Sequence, residues 1–215
     1  MVYEEIEIGD FMITQITELQ AVAQSGLAYC KDKFDIERYK RILEITASLL
    51  ASNSARAYEE IIELFESDNG YCTPKVDTRG AIFEQGKILL VQEKSNGLWS
   101  LPGGWADVNL SPTENIIKEI KEETGFNCIV NKLVGVFDKR KNNTESMKWP
   151  HVYKIFFLCE TTSSQKDEFN KNEILDFGFF DLTQLPPLSI GRSNKQQIDL
   201  CFKHFSNKLL KTEFD

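Results

Sequence analysis

Apolar residues recur at every third or fourth position through the first part of the chain. That spacing places them on one face of a helix, with polar and charged residues between them. The helical stretches are Phe11 to Leu27, Asp35 to Leu50, with Asp35 as the expected cap, and Ala55 to Phe65. The sequence Asp-Asn-Gly at 68–70 is a strong stop signal. The pattern predicts an all-helical N-terminal domain over residues 1–70 and a linker over residues 71–78.

Beyond residue 78 the apolar pattern shortens to the alternation and short runs typical of β-strands. Residues 79–83 and 87–93 are expected to pair as a hairpin around the turn Glu84-Gln85-Gly86. Further strands are predicted at 128–130, 133–138, 153–159 and 177–181, and a closing helix at 194–210. Strands on both sides of one internal helix predict an α/β domain with a mixed sheet over residues 79–210.

The internal helix carries start and stop signals in its own sequence. Ser111 is the expected N-cap, Pro112 suits the first helical position, and Glu114 stands three residues after the cap. Gly125 is the expected stop. An apolar stripe along this helix consists of Ile116, Ile117 and Ile120. We expect that stripe to pack on the sheet while the opposite face lines a cleft.

Three carboxylates crowd the other face of the same helix. Glu119, Glu122 and Glu123 are neighbours at helical spacing, so their like charges repel unless a cation lies among them. Hard oxygen ligands of this kind suit Mg²⁺, with Mn²⁺ as an alternative. A solvated acidic helix face is the other interpretation of such a cluster.

The residues around this cluster resemble the Nudix hydrolases (MutT-like). The family pattern begins at Gly104 and spans 23 residues, and its later positions are matched by Glu119, Ile120, Glu122, Glu123 and Gly125. Two positions depart from the pattern, because Leu110 stands for a glutamate and Lys118 for an arginine. Phe126 replaces the usual aliphatic residue. The resemblance implies a Nudix α/β/α sandwich with a mixed sheet, preceded by the helical domain.

Leu110 and Lys118 replace a glutamate and an arginine that pair in the family. The loss of both members leaves the three metal-binding carboxylates in place. We therefore expect the loop to be held against the helix by other contacts and metal binding to survive. The alternative is a catalytically weak Nudix-fold module that binds nucleotides or has a regulatory role.

The chain of 215 residues has 41% hydrophobic residues and a formal net charge of −8. That charge is not the electrostatic footprint of a protein that binds bulk nucleic acid. No window is apolar enough for a membrane span, and the acidic N-terminus does not resemble a signal peptide. Five widely spaced cysteines without a CxxC pair are typical of free thiols in a reducing cytoplasm.

The N-terminal run from Leu19 to Tyr39 and the stretch Gly104 to Val108 resemble a bacterial Nudix subgroup with a helical N-terminal domain. That subgroup hydrolyses nucleoside diphosphates linked to another moiety, as CDP-choline and ADP-ribose pyrophosphatases do. The resemblance implies cleavage of the pyrophosphate bond to a nucleoside monophosphate and a phosphorylated product. The apolar positions of the N-terminal helices exceed what three short helices can bury, so we expect a homodimer.

The resemblance also assigns roles to single residues. The expected metal ligands are Glu119, Glu122, Glu123 and the carbonyl of Gly104. The expected catalytic residues are Glu119, Glu122, Glu123 and Glu173, and which of them is the general base stays open. Residues expected to bind substrate are Arg79, at the start of the first strand, Trp105, for stacking on a base, and His151. For Glu173, Arg79 and His151, a purely structural or solvated role is the alternative.

Overall fold

The computed structural model describes residues 8–67, 70–141, 150–162 and 169–215. The chain divides into two compact units. The first, the helical unit, is Met1–Pro74 with Met147–His151, and the second, the sheet unit, is Lys75–Ser146 with Val152–Asp215. None of the described helices is both long and apolar enough to cross a membrane.

The helical unit contains the predicted helices. They are α1 (Ile8–Tyr29), α2 (Lys33–Ser52) and α3 (Tyr58–Ser67). Asp32 caps α2, and its carboxylate accepts hydrogen bonds from the backbone N–H groups of Phe34 and Asp35. The expectation that Asp35 is the cap is therefore wrong, since Asp35 lies in the first turn. The helices bury a shared apolar cluster of Ile16, Ala47, Leu50, Ile61 and Phe65.

The sheet unit is built on a mixed sheet of seven strands. The strands are β1 (Lys75–Glu84), β2 (Lys87–Glu93), β3 (Trp99–Ser100), β4 (Cys128–Asp138), β5 (Val152–Thr161), β6 (Ile174–Phe180) and β7 (Glu213–Phe214). Their order is β3-β2-β1-β5-β4-β7, and β6 also pairs with β2. β1 pairs antiparallel with β2, which confirms the hairpin, and parallel with β5.

Several strands differ from their predicted bounds, and β1 and β4 do so most. β7, at 213–214, lies beyond the predicted end of the domain at residue 210. β1 begins at Lys75, so residues 75–78 belong to the sheet and not to a linker. The pairs Lys75 with Val152 and Val76 with Tyr153 add these residues to the ladder. β4 is one strand with register shifts near Lys132 and Gly135, where two strands were expected. Such shifts locally break the alternation of buried and exposed residues, which explains the apparent gap.

One helix covers each face of the sheet. Helix α4 (Pro112–Thr124) packs Ile116 and Ile120 into a cluster with Ile82, while helix α5 (Lys195–Ser206) packs Ile198 into a cluster with Ala81 on the other face. Adjacent residues of β1 therefore point to opposite faces, and both faces are buried. These layers confirm the α/β/α sandwich, which a helical region precedes.

Local signals set the ends of α4 as expected. Ser111 and Glu114 form a reciprocal capping box, and Pro112 follows the cap. Gly125 ends the helix in the left-handed conformation, with φ of 74°. Because the apolar stripe of α4 faces the sheet, the acidic side of the helix is presented to the loop after β3.

Candidate active site

The loop after β3 passes very close to β1. Gly103 has φ of +133°, and a Cβ atom there would lie 2.0 Å from the carbonyl oxygen of Thr78. Only glycine fits this backbone position. Gly104 continues the contact, because its carbonyl accepts a hydrogen bond of 2.9 Å from the N–H of Thr78. The glycine pair thus fixes the loop on the strand beside α4.

Glu123 is the buried member of the three carboxylates. Its side chain accepts a hydrogen bond of 2.7 Å from the N–H of Gly103. Burial raises the pKa of Glu123 to about 8, against the opposing effects of the Arg79 charge and the Gly103 hydrogen bond. A carboxyl with this pKa is stabilised as the anion by a cation placed next to it.

Glu119 lies one turn before Glu123, against Gly104. Its carboxylate is about 3 Å from the position that a Cβ atom of Gly104 would take. Burial raises the pKa of Glu119 to about 7, and the charge of Glu122 adds to the shift while Lys118 opposes it. Glu119 and Glu123 therefore share an acidic, partly dehydrated environment.

Glu122 is exposed and lies within 3.2 Å of the ammonium group of Lys118. The same ammonium donates a hydrogen bond of 2.8 Å to Asp107 in the loop. That hydrogen bond raises the pKa of Lys118. Lys118 thus joins the loop to the helix through Asp107, which confirms that other contacts replace the missing pair. Being exposed, the Lys118–Asp107 pair contributes about 0–1 kcal/mol to stability.

Asn115 forms a second, buried link between loop and helix. Its side-chain oxygen accepts from the N–H of Asp107, and its amide nitrogen donates to Thr78 and to the carbonyl of Trp105. Trp105 as a whole residue remains 54% exposed. These contacts hold the loop backbone while leaving a flat aromatic surface open to solvent, as stacking on a base requires.

These elements enclose an open cleft of about 580 Å³. The predicted site residues that line it are Gly104, Trp105, Glu119, Glu122, Glu123 and Glu173. Glu173 comes from the loop just before β6, and its backbone carbonyl accepts from the N–H of Lys94. The cleft is therefore formed by the loop after β3, the acidic face of α4 and the segment leading into β6.

Arg79 was predicted to begin the first strand, and this placement is wrong, as is the alternative of a solvated residue at the strand end. Substrate binding by Arg79 stays a prediction. The residue lies within β1 and is 2% exposed. Its Nε and Nη2 donate to the carboxylate of Asp77 at 2.7 and 3.0 Å, and its Nη1 donates to the carbonyl of Leu101 at 3.0 Å. Arg79 acts on the site through its charge near Glu123, and within the described chain it does not line the cleft.

His151 lies directly before β5 and is half-buried. It is grouped with the helical unit and not with the sheet unit that contains the cleft. The cleft-lining residues of the described chain do not include it. A substrate contact by His151 stays a prediction.

Among the charged residues that line the cleft but were not predicted from the sequence, Glu93 and Arg192 form an ion pair. Glu93 ends β2, and Arg192 lies in the turn before α5. The guanidinium nitrogen Nη2 of Arg192 is 3.3 Å from Oε2 of Glu93. The signal that could have found Glu93 is its acidic side chain at the end of an apolar strand. Nothing comparable marks Arg192, which is about a hundred residues away along the chain.

In the described part of the chain, no three acidic, histidine or cysteine side chains already converge to enclose a metal ion. The donors nevertheless fit a divalent cation in kind. Glu119, Glu122 and Glu123 supply hard carboxylate oxygens from one helical face, and two of these carboxyls have pKa values raised by burial.

An acidic helix beside a glycine turn that is hydrogen-bonded to β1 is an arrangement suited to hydrolases that act on phosphoric anhydrides. The NUDIX domain family matches residues 74–201, and a family described as a UDP-X-like, N-terminal oligomerisation domain matches residues 11–65. The chain belongs to the Nudix family and is a pyrophosphohydrolase.

Two relatives span nearly all of the chain, and a third spans about two thirds of it. A Bacillus subtilis (strain 168) protein, provisionally named as the ADP-ribose pyrophosphatase YjhB, is 39% identical over 98% of this chain and all of its own. The crystal structure of a UDP-X diphosphatase is 35% identical, with a TM-score of 0.59, over 96% of this chain and 98% of its own. The crystal structure of an ADP-ribose pyrophosphatase from Streptococcus suis 89-1591 is 44% identical, with a TM-score of 0.60, over 66% of this chain and all of its own.

Proposed function

We propose that the protein hydrolyses the pyrophosphate bond of a nucleoside diphosphate linked to another moiety, of the ADP-ribose or CDP-choline type. The products are a nucleoside monophosphate and the phosphorylated moiety. The single observation that carries the proposal is the placement of Glu119, Glu122 and Glu123 in one cleft with the Gly103-Gly104 turn. The names of the relatives support the substrate class.

In this proposal Glu119, Glu122 and Glu123 hold Mg²⁺, or Mn²⁺, together with the carbonyl of Gly104. The ion supplies stabilisation of the charge that develops on the phosphate oxygens and lowers the pKa of an attacking water. Thr78 already donates to the Gly104 carbonyl and so fixes its position. The second lone pair of that oxygen is left for a ligand.

The remaining predicted residues take positioning and proton-transfer roles in the proposal. The hydrogen bond from Gly103 orients the carboxylate of Glu123. Glu173 faces the same cleft from the loop before β6, where it can accept a proton from the attacking water. Trp105 offers its exposed indole to the nucleoside base.

Comparison of substrates tests the proposed class. We expect kcat/KM for ADP-ribose or CDP-choline to exceed that for ATP or dGTP by about tenfold or more, since a diphosphate with groups on both sides uses more of the site. UDP-glucose belongs in the same series, because one relative is named a UDP-X diphosphatase. A tenfold preference for dGTP or ATP would contradict the substrate class. Absence of turnover with all of them would favour the alternative of a nucleotide-binding module.

We also propose that the protein is a homodimer through its N-terminal helices. Large apolar side chains of the helical unit remain exposed: Phe11, Met12, Leu19, Val22, Tyr29, Phe34, Ile45, Leu49 and Leu64. A second copy would remove such surface from water. The matched family is itself described as an oligomerisation domain.

Light scattering of the full chain at micromolar concentration is expected to give about twice the monomer mass of 24.7 kDa. Replacing both Leu19 and Val22 by Asn removes apolar surface from α1 and is expected to shift the equilibrium toward monomer. The control replaces Leu209, an exposed apolar residue outside the helical unit, by Asn. It should leave the mass measured by light scattering unchanged. A wild-type mass near that of one chain contradicts the dimer.

A cytoplasmic location remains a prediction. All five cysteines lie in the described part of the chain, and none forms a disulfide. Free thiols are the usual state in a reducing compartment.

A further inference from the structure

We propose that Arg192 binds a phosphate group of the substrate and that Glu93 is the positioning residue that holds its guanidinium toward the cleft. This inference rests on the proposed function and adds a substrate-binding side chain to it. Both residues line the cleft that contains the glutamates of α4.

The Glu93–Arg192 pair differs from an ordinary surface pair. The side chain of Glu93 is 5% exposed, whereas that of Arg192 is 40% exposed. Glu93 is also fixed on its other side, because one oxygen accepts a hydrogen bond of 3.0 Å from the hydroxyl of Ser100. A buried, oriented carboxylate therefore holds one end of a guanidinium whose remainder reaches solvent.

The backbone at Arg192 is held by hydrogen bonds from a buried lysine. The ammonium of Lys154, which is 2% exposed, donates to the carbonyls of Gly191 and Arg192. Burial lowers the pKa of Lys154 to about 7. The N–H of Arg192 also bonds to the carbonyl of Ser189 at 2.8 Å, closing a tight turn.

The same turn is joined to the strand and loop of the active site. The N–H of Ser189 donates to the carbonyl of Trp99 at 2.7 Å, and the hydroxyl of Ser193 accepts from the N–H of Leu101. Leu101 stands just before the Pro102-Gly103-Gly104 segment. A rigid connection of this kind keeps Arg192 at a set distance from the glycine turn.

Other cations near the cleft are less suited to a phosphate. Lys118 is engaged by Asp107 and Glu122, and Arg79 is buried against Asp77. Lys94 also lines the cleft, but its exposed ammonium donates to the carbonyl of Lys171 at 3.4 Å and lacks the planar set of donors of a guanidinium. Within the described residues, the ionic contact of the Arg192 guanidinium is with one carboxylate, that of Glu93. Because a guanidinium carries several N–H donors in a planar fork, Arg192 can keep Glu93 on one edge and bind phosphate oxygens on another.

Calorimetry with inorganic pyrophosphate in Mg²⁺ buffer measures this role without a reaction. We expect Arg192→Ala to weaken binding by about tenfold or more, as loss of charge-assisted hydrogen bonds does. Arg192→Lys should be weaker than wild type by roughly threefold or more, because an ammonium cannot hold both partners. The matched control is Lys195→Ala, which removes the same charge from an exposed pair with Asp199 and should leave binding unchanged.

Glu93→Gln tests the positioning role. We expect Glu93→Gln to weaken pyrophosphate binding in the wild-type protein, because Glu93 orients the guanidinium of Arg192. In the Arg192→Ala protein there is no guanidinium to orient, so Glu93→Gln should not weaken binding further. Equal effects of Glu93→Gln in both backgrounds would overturn the positioning role. Unchanged binding in Arg192→Ala, or no measurable binding by the wild type, would overturn the phosphate contact.

Kinetics with ADP-ribose separate this inference from the proposed function. Arg192→Ala is expected to raise KM by about tenfold with little change in kcat, as expected when an interaction is present in both ground and transition states. Wild-type turnover combined with unchanged pyrophosphate binding in Arg192→Ala refutes only the role of Arg192. Absence of wild-type turnover combined with lost binding in Arg192→Ala refutes the reaction and leaves the anion site standing.

Discussion

Replacing Glu122 by Gln is expected to lower kcat at least about a hundredfold, because loss of a charged metal ligand removes roughly 3 kcal/mol of transition-state stabilisation. Excess EDTA should abolish turnover of the wild type, and added Mg²⁺ should restore it. The fold should be unaffected, since the Glu122 side chain is exposed and its contact with Lys118 is a surface pair. Steady-state kinetics with ADP-ribose, with and without metal, measure the effect.

Glu84→Gln is the matched control for Glu122→Gln. It makes the same change from carboxylate to amide in the same compact unit, at the exposed last residue of β1. We expect kcat within about twofold of wild type, as is usual for a surface change away from the site. Full activity of Glu122→Gln, or of the wild type in EDTA, would refute the assignment of the metal ligands.

Replacing Arg79 by Met is expected to lower the free energy of unfolding by about 3–5 kcal/mol. The physical reason is that the carboxylate of Asp77, also buried, would lose its charged partner without reaching water. A urea titration followed by circular dichroism measures the difference. The double variant with Asp77→Leu should recover much of the loss, because it leaves neither charge of the pair buried.

The exposed pair of Lys87 with Asp181 provides the control for Arg79→Met. Lys87→Met removes a cation of the same unit but is expected to change the free energy of unfolding by less than about 1 kcal/mol. A change below about 1 kcal/mol in Arg79→Met as well would contradict the buried ion pair. If the Arg79→Met protein remains folded but loses activity, the loss would show that the charge of Arg79 near Glu123 is needed for activity.

Much of the fold follows from short-range signals in the sequence. The ends of α4 were predicted correctly because the Ser111–Glu114 capping box joins residues only three positions apart. The three carboxylates fall on one face of α4 for the same reason, since helical spacing alone determines which side chains are neighbours. Hydrophobic periodicity likewise identified the N-terminal helices, although the N-cap of α2 is Asp32 and not the predicted Asp35.

The positions of Arg79, Arg192 and Asp107 relative to the site were decided by the tertiary structure. Arg79 is buried because β1 pairs with β5, about 75 residues later, and because helices cover both faces of the sheet. Arg192 meets Glu93 only after the segment before α5 is hydrogen-bonded to Trp99 of β3. A sequence pattern predicts which face of a helix or strand a side chain occupies. It does not predict which distant segment of the chain packs against that face.

The sequence by itself therefore determined the acidic helix, its ends and the family motif, because each depends on residues within a few turns of one another. The tertiary structure decided which charged side chains are buried, which contact more than one partner and which reach the cleft. Lys118 shows the difference at one residue: helical spacing predicts its contact with Glu122, while its bond to Asp107 depends on the path of the loop held by Asn115. Ion pairs between distant segments form only where the packed sheet and helices bring them within a few ångströms.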